Sequence, residues 1–180
     1  IITIREQLPP DPLLSTPFGT RRMTYADYTA SGRSLKFIEE YIQRVIAPMY
    51  ANTHTETSAS GLQTTHARDE ARMIIMNSLY ADPQHYDLIF TGTGTTGAIW
   101  KLIALLGIHC PAQLLPYLDI DSVKKPLVLI SHSEHHSNEL MWRETVADVM
   151  PIPPDKTGSL DLTFLRNILE ENKDRYDTII

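Results

Sequence analysis

Ile89-Phe90-Thr91-Gly92-Thr93-Gly94-Thr95-Thr96-Gly97 is the stretch that decides the fold of this 180-residue chain. The apolar run from Tyr86 to Thr91 ends in glycines, as a buried strand does. From Thr95 to Leu106 follows an apolar segment of helical length, with Ala98, Ile99, Trp100, Leu102, Ile103, Leu105 and Leu106 nearly all round it, which predicts a well-buried helix. Glycine permits tight turns and close backbone approach, and the first turn of a helix offers free N–H groups and a positive dipole end to an anion. Thr95 and Thr96 add hydroxyl donors where a phosphate would rest. A Gly-rich turn with a Thr cap and nothing bound is the alternative. The strand–loop–helix context favours the phosphate cradle.

Working outward, strands alternate with helices. Leu127–Ile130 reads as a second buried strand, Ser137–Glu144 as a short helix, Val146–Ile152 as a third strand and Leu160–Leu169 as a helix. Tyr176–Ile180 begins a fourth strand. Such alternation predicts an α/β fold, a mostly parallel sheet with helices on its faces. Before the loop, Ser34–Tyr50 carries an apolar stripe at helical spacing (Ile38, Tyr41, Ile42, Val45, Ile46), and Pro48 falls close to its end. Ala51–Ser60 reads as a polar loop, and Leu62–Tyr80 as a helix with Ala67, Ala71, Ile74, Ile75 and Leu79 inward. Residues 1–24, with Pro9, Pro10, Pro12 and Pro17, read as an extended arm, and 25–180 as one domain. The last residues fall within a predicted core strand, which leads to the expectation of an incomplete domain.

Composition bounds the class. Apolar residues make up 42% and charged residues 21%, as in ordinary globular proteins. A formal charge of −6, with Lys and Arg scattered, argues against a nucleic-acid surface. No apolar run reaches bilayer length, so no membrane partner is expected. One cysteine, Cys110, excludes an internal disulfide framework and a Cys-rich metal site, and a cytoplasmic setting is the default expectation.

Gly92, Gly94 and Gly97 satisfy G-x-G-x-x-G. A dinucleotide site, however, wants an acidic residue about 20 positions on, at the end of the next strand. Here that strand ends in Ser131-His132, and Asp119 and Asp121 lie in the segment before it. No Gly-Lys-Ser/Thr follows, so a P-loop is excluded. A second cluster, Ser131-His132-Ser133-Glu134-His135-His136-Ser137-Asn138, lies just past a buried strand, where open α/β sheets bind ligands. Adjacent His135 and His136 cannot easily face one metal ion, and His132-Ser133-Glu134 lacks the Pro-Cys-x-x-Cys partner of zinc deaminases, so no metal is expected. The remaining readings are a helix-capping loop with satisfied histidines, or an imidazole that stacks on a flat cofactor or carries a proton near neutral pH.

Taken together, four stretches in order resemble the class V aminotransferase family, fold type I enzymes dependent on pyridoxal 5′-phosphate (PLP) that include cysteine desulfurases. They are Tyr25-Ala26-Asp27-Tyr28-Thr29-Ala30-Ser31, Asn52-Thr53-His54 with the later Ala67-Arg68-Asp69-Glu70-Ala71-Arg72, the loop Ile89 to Gly97, and Glu134-His135-His136-Ser137-Asn138 with Trp142. The resemblance decides against the dinucleotide reading. It implies the N-terminal part of a fold type I large domain, with helices on both faces of the sheet.

The resemblance also implies roles. Thr95 and Thr96, with the backbone of Gly94, would hold the phosphate of PLP. His135 would stack on the pyridine ring and assist proton transfer. Thr29 and Ala30 would lie near the substrate entrance, with Asn52 and His54 in the same cleft, and Glu134 and His136 would be structural. The family's acidic residue after the phosphate-loop threonine is replaced here by Gly97. Lys101, Lys124, Lys125, Lys156 and Lys173 match no family lysine position, so the Schiff-base lysine is expected to be missing. Cys110 reads as a buried or loop thiol. The implied activity is that of a PLP-dependent lyase or transferase acting on a small amino-acid substrate, cysteine desulfurase-like, in a homodimer, with this chain alone inactive. The alternatives are a catalytically inactive PLP- or phosphate-binding module and a dinucleotide-binding oxidoreductase fragment.

Overall fold

A computed structural model describes residues 3–111, 113–119, 125–174, 176 and 178–180. Two compact units divide the chain, residues 1–88 and 89–180.

The first unit opens differently from the extended arm predicted for residues 1–24. A turn of helix, α1 (Ile4–Gln7), precedes an antiparallel hairpin of β1 (Leu13–Thr16) and β2 (Gly19–Arg22). Pro17 and Phe18 make its two-residue turn. Thr16 Oγ1 accepts from the Phe18 N–H and donates to the Gly19 carbonyl, and Gly19 supplies φ +90°.

The helix predicted over Ser34–Tyr50 breaks into three pieces. α2 (Lys36–Tyr41) runs into a π-helical turn over Ile42–Ile46 and a 3₁₀ turn over Ala47–Met49. Pro48 has no N–H to give the carbonyl of Arg44, so the regular ladder cannot continue past it. α3 (Ala59–Ser78) begins three residues earlier than expected, because Ser58 caps it by accepting from the Gly61 N–H at 3.2 Å. Its expected inward face is only partly inward. Ala67 and Ala71 are half-buried and Met76 is buried, whereas Ile74 is 58% and Leu79 68% exposed.

In the second unit α4 (Gly94–Leu106), β3 (Leu127–Ser131), α5 (His136–Arg143), β4 (Asp148–Ile152) and α6 (Leu162–Asn172) follow in order. β3 and β4 pair in parallel, Leu127 opposite Asp148 through Ser131 opposite Ile152, with α5 as the crossover. The fold is therefore α/β, its parallel sheet two-stranded among the described residues. Of the expected fourth strand, Ile179 makes one parallel bridge to Leu127. Leu127 N–H donates to Thr178 O, Leu129 N–H to Ile180 O, and Ile180 N–H to Leu127 O, all within 3.0 Å. Asp177 lies outside the described residues.

Tyr86–Thr91, expected as a buried strand, pairs with no strand among the described residues, and Ile89 and Phe90 are exposed. An apolar run gives a segment the side chains of a strand, but only a partner completes its ladder. The core of this unit is Ile103, Val128, Ile130 and Trp142, with Ile99, Ile108, Met141, Ala147 and Val149 packed against it. α4 thus buries one stripe only. Trp100, Leu102, Leu105 and Leu106 are exposed, against the expectation of a helix buried all round. No helix of the described residues is long and apolar enough to cross a membrane.

Candidate functional site

The loop before α4 is wound tightly by two successive left-handed residues. Thr93 has φ 60°, ψ 30° and Gly94 φ 63°. Only the second is a glycine, so Thr93 holds a conformation that β-branched side chains disfavour. Thr93 makes no side-chain cap on α4, and the first N–H groups of any helix have no intrahelical partner, so this end stays open to an acceptor. Thr95 and Thr96 are exposed at that same turn.

Gly97 closes the loop from below. Its N–H lies 3.5 Å from the Thr93 carbonyl, and a Cβ built on it would meet Gly92 O at 1.9 Å and Thr93 Oγ1 at 2.5 Å. Beside it runs a groove of about 610 Å³, lined by Phe90, Gly92, Thr93, Gly97, Trp100 and Lys101 among others.

The histidine segment is organised by β3 and α5. His135 is the N-cap of α5. Its Nδ1 accepts the Ser137 N–H at 3.3 Å and lies 2.8 Å from Ser137 Oγ, which assigns the ring proton of the neutral imidazole to Nε2. His136 packs its ring 4.1 Å from that of His135, tilted by 36°. His132 N–H donates to Ile152 O, tying the segment to the end of β4. Below, Asn138 donates to Glu134 Oε2 at 3.0 Å and accepts from buried Trp142 Nε1 at 2.9 Å. This Glu134–Asn138–Trp142 chain anchors the loop to the core.

α4 and α5 pack against each other, and their C-terminal ends are tied together. His109 bridges Thr145, with Cys110 N–H donating to Glu144 O and Val146 N–H to Ile108 O. Each helix therefore carries its N-terminus away from the shared tie. At ~1.5 Å per residue, α4 extends about 20 Å and α5 about 12 Å from it.

The remaining candidates lie in the first unit. Thr29 and Ala30 sit in an exposed turn where Asp27 O accepts from Ser31 N–H and Asp27 Oδ1 from Ala30 N–H. Tyr25 OH spans this turn, within 3.1 Å of Asp27 O and 2.5 Å of Ser31 O. Asn52 and His54 lie on a loop stitched to α3, where Thr64 Oγ1 accepts from Ala51 N–H and Thr65 Oγ1 from His54 N–H. His54 has φ 64°, and its Nε2 faces Arg68 Nη1 at 3.3 Å. A guanidinium only donates, so that nitrogen is the acceptor.

The aminotransferase class-V family matches residues 24–176. The chain belongs to this family. A curated relative, the molybdenum cofactor sulfurase of Aspergillus terreus (strain NIH 2624 / FGSC A1156), is 31% identical over 93 residues, which is 52% of this chain and 10% of the relative. The chain spans about a tenth of that relative's length.

Class V aminotransferases depend on PLP and act on small amino-acid substrates. The donor set at the start of α4 fits a phosphate, with helix-end N–H groups that have no intrahelical partner and the two exposed hydroxyls of Thr95 and Thr96. When bound, PLP supplies an electron sink for carbanion chemistry at an amino acid. Reading the sequence alone missed Thr93, Ser137, Asn138 and Arg68, which shape or orient the candidates. Of these, only the i, i+4 spacing of Asn138 and Trp142 was a visible signal.

Proposed function

We propose that this chain contributes the cofactor-phosphate loop and the ring-stacking histidine of a PLP-dependent lyase or transferase acting on an amino acid, cysteine desulfurase-like. The observation that carries this reading is the open N-terminus of α4, framed by the left-handed pair Thr93–Gly94 and the exposed hydroxyls of Thr95 and Thr96. Gly94 N–H and both threonine hydroxyls bind the phosphate. His135 offers the cofactor ring the face that His136 does not cover, and its Nε2 is the atom that holds or passes a proton. Thr29, Ala30, Asn52 and His54 line the substrate approach, with Arg68 fixing the His54 ring. The relative's name, a sulfurase, supports sulfur as the group moved. Buried Cys110 is a packing thiol in this scheme. The Schiff-base lysine is not among the lysines of this chain, and the working form is a homodimer.

Titration calorimetry of PLP into the 180-residue chain and its Thr95→Ala/Thr96→Ala variant tests the assignment. Each hydrogen bond to a charged group contributes about 1.5–3 kcal/mol, so the double variant should bind at least about tenfold more weakly. Equal affinity of the two proteins would remove the phosphate from this loop.

A further inference from the structure

The three glycines of the loop are not equivalent. A Cβ on Gly92 would enter open space, and Gly92 has no left-handed φ. Gly94 is favoured by its backbone, at φ +63°, though a Cβ there would also meet nothing within 4 Å. Gly97 has an ordinary helical backbone but no room, since its Cβ would fall 1.9 Å from Gly92 O, 2.5 Å from Thr93 Oγ1 and 3.0 Å from Gly92 C. Two of these three contacts are backbone, which cannot rotate aside as a side chain can. Glycine is also a poor helix residue, and alanine at an unobstructed helical position ordinarily stabilises. The space above Gly97 is therefore used by the loop itself.

We infer that Gly97 is a positioning residue for the cofactor phosphate: its bare Cα lets the Gly92–Thr93 peptide fold down onto α4, and this sets the Thr93–Gly94 turn whose N–H groups face the anion. The inference rests on the phosphate reading of the loop and goes beyond it by assigning the closure to one atom position. Gly97 touches no ligand in this account. A methyl group there would lift the Gly92–Thr93 peptide and swing the donors of Gly94, Thr95 and Thr96 off the phosphate while leaving α4 intact.

The experiment compares PLP with pyridoxal, which lacks the phosphate, as ligands of the wild-type chain, Gly97→Ala and Gly92→Ala, with circular dichroism on each protein. Wild type and Gly92→Ala should prefer PLP. Gly97→Ala should lose that preference by about tenfold, the loss expected when charge-assisted hydrogen bonds are misaligned, with pyridoxal affinity and ellipticity unchanged. Undiminished preference in Gly97→Ala overturns the inference and leaves the phosphate loop standing. A wild type that does not distinguish the two ligands overturns the phosphate reading, and the inference with it. If Gly97→Ala does not fold, Thr93→Gly/Gly97→Ala, whose loop can move aside, carries the same comparison. A folded double variant with wild-type preference, or one that still does not fold, overturns the inference, because the clash is assigned to the loop alone.

Discussion

Thr93 holds a left-handed backbone that costs L-residues about 1–2 kcal/mol, and it does so next to Gly94, which adopts the same region freely. Thr93→Gly should accordingly raise the stability of the second unit by about 1 kcal/mol, read as a higher thermal midpoint. An unchanged or lower midpoint would mean that the threonine side chain offsets its own strain.

Asp155 is a second residue whose environment is specific. Its carboxylate accepts from the hydroxyl and N–H of Thr157 and from the N–H of Ser159, and the Thr157 hydroxyl bond is the largest influence holding its pKa below the ordinary 3.8. A folded pKa lower than the unfolded one adds stability that is complete above the ordinary value and disappears as pH falls through the folded value. Asp155→Asn should thus be less stable than wild type at neutral pH, with the gap narrowing as acid unfolding approaches. A gap that stays constant with pH refutes the linkage.

At this scale the sequence shows that Thr95 and Thr96 bring hydroxyl donors to the head of α4, since residue chemistry is local. It did not reveal why position 97 is glycine. That depends on where the Gly92 carbonyl goes, which no spacing encodes.

Among the elements, α5 joins the histidine loop to the core. Removing Asn138 leaves the buried Trp142 Nε1–H without its acceptor and Glu134 without its donor. Asn138→Ala should cost about 1–3 kcal/mol in urea unfolding, and Glu134→Ala, which leaves the indole bond in place, should cost less. Equal losses would show that the indole bond is not the source.

The boundaries of β3, α4 and α5 follow the sequence within two residues, because each has a single period and a clear cap or flank. The hairpin of β1 and β2 hid behind its prolines, although Pro17 and Gly19 around Phe18 were a turn signal. The Ile38–Ile46 stripe has helical spacing but also Pro48 within reach of its carbonyls, and the backbone answers with a π turn. Tyr86–Thr91 shows the limit most plainly, since apolarity foretells burial only where something covers it.

For the whole molecule, both tryptophans, Trp100 and Trp142, lie in residues 89–180, so intrinsic tryptophan emission reports that unit alone. Ile103 is fully buried on α4, while Leu105 on the same helix is 62% exposed. Ile103→Ala should lower the stability read by tryptophan emission by about 2–5 kcal/mol, whereas Leu105→Ala should stay within about 0.5 kcal/mol. Similar losses in both would mean that Leu105 is covered in solution.

The tie of His109 to Thr145 bears on how this region can change length over evolutionary time. It holds the far ends of α4 and α5 whatever the chain does between Cys110 and Leu127. Closing a flexible connection costs entropy that grows only with the logarithm of its length, about 0.6 kcal/mol for each doubling. Insertions there should therefore be cheap. Inserted residues would be carried at the end of the helices opposite Thr95 and His135, so this stretch can diversify while the N-terminal ends of α4 and α5 stay unchanged.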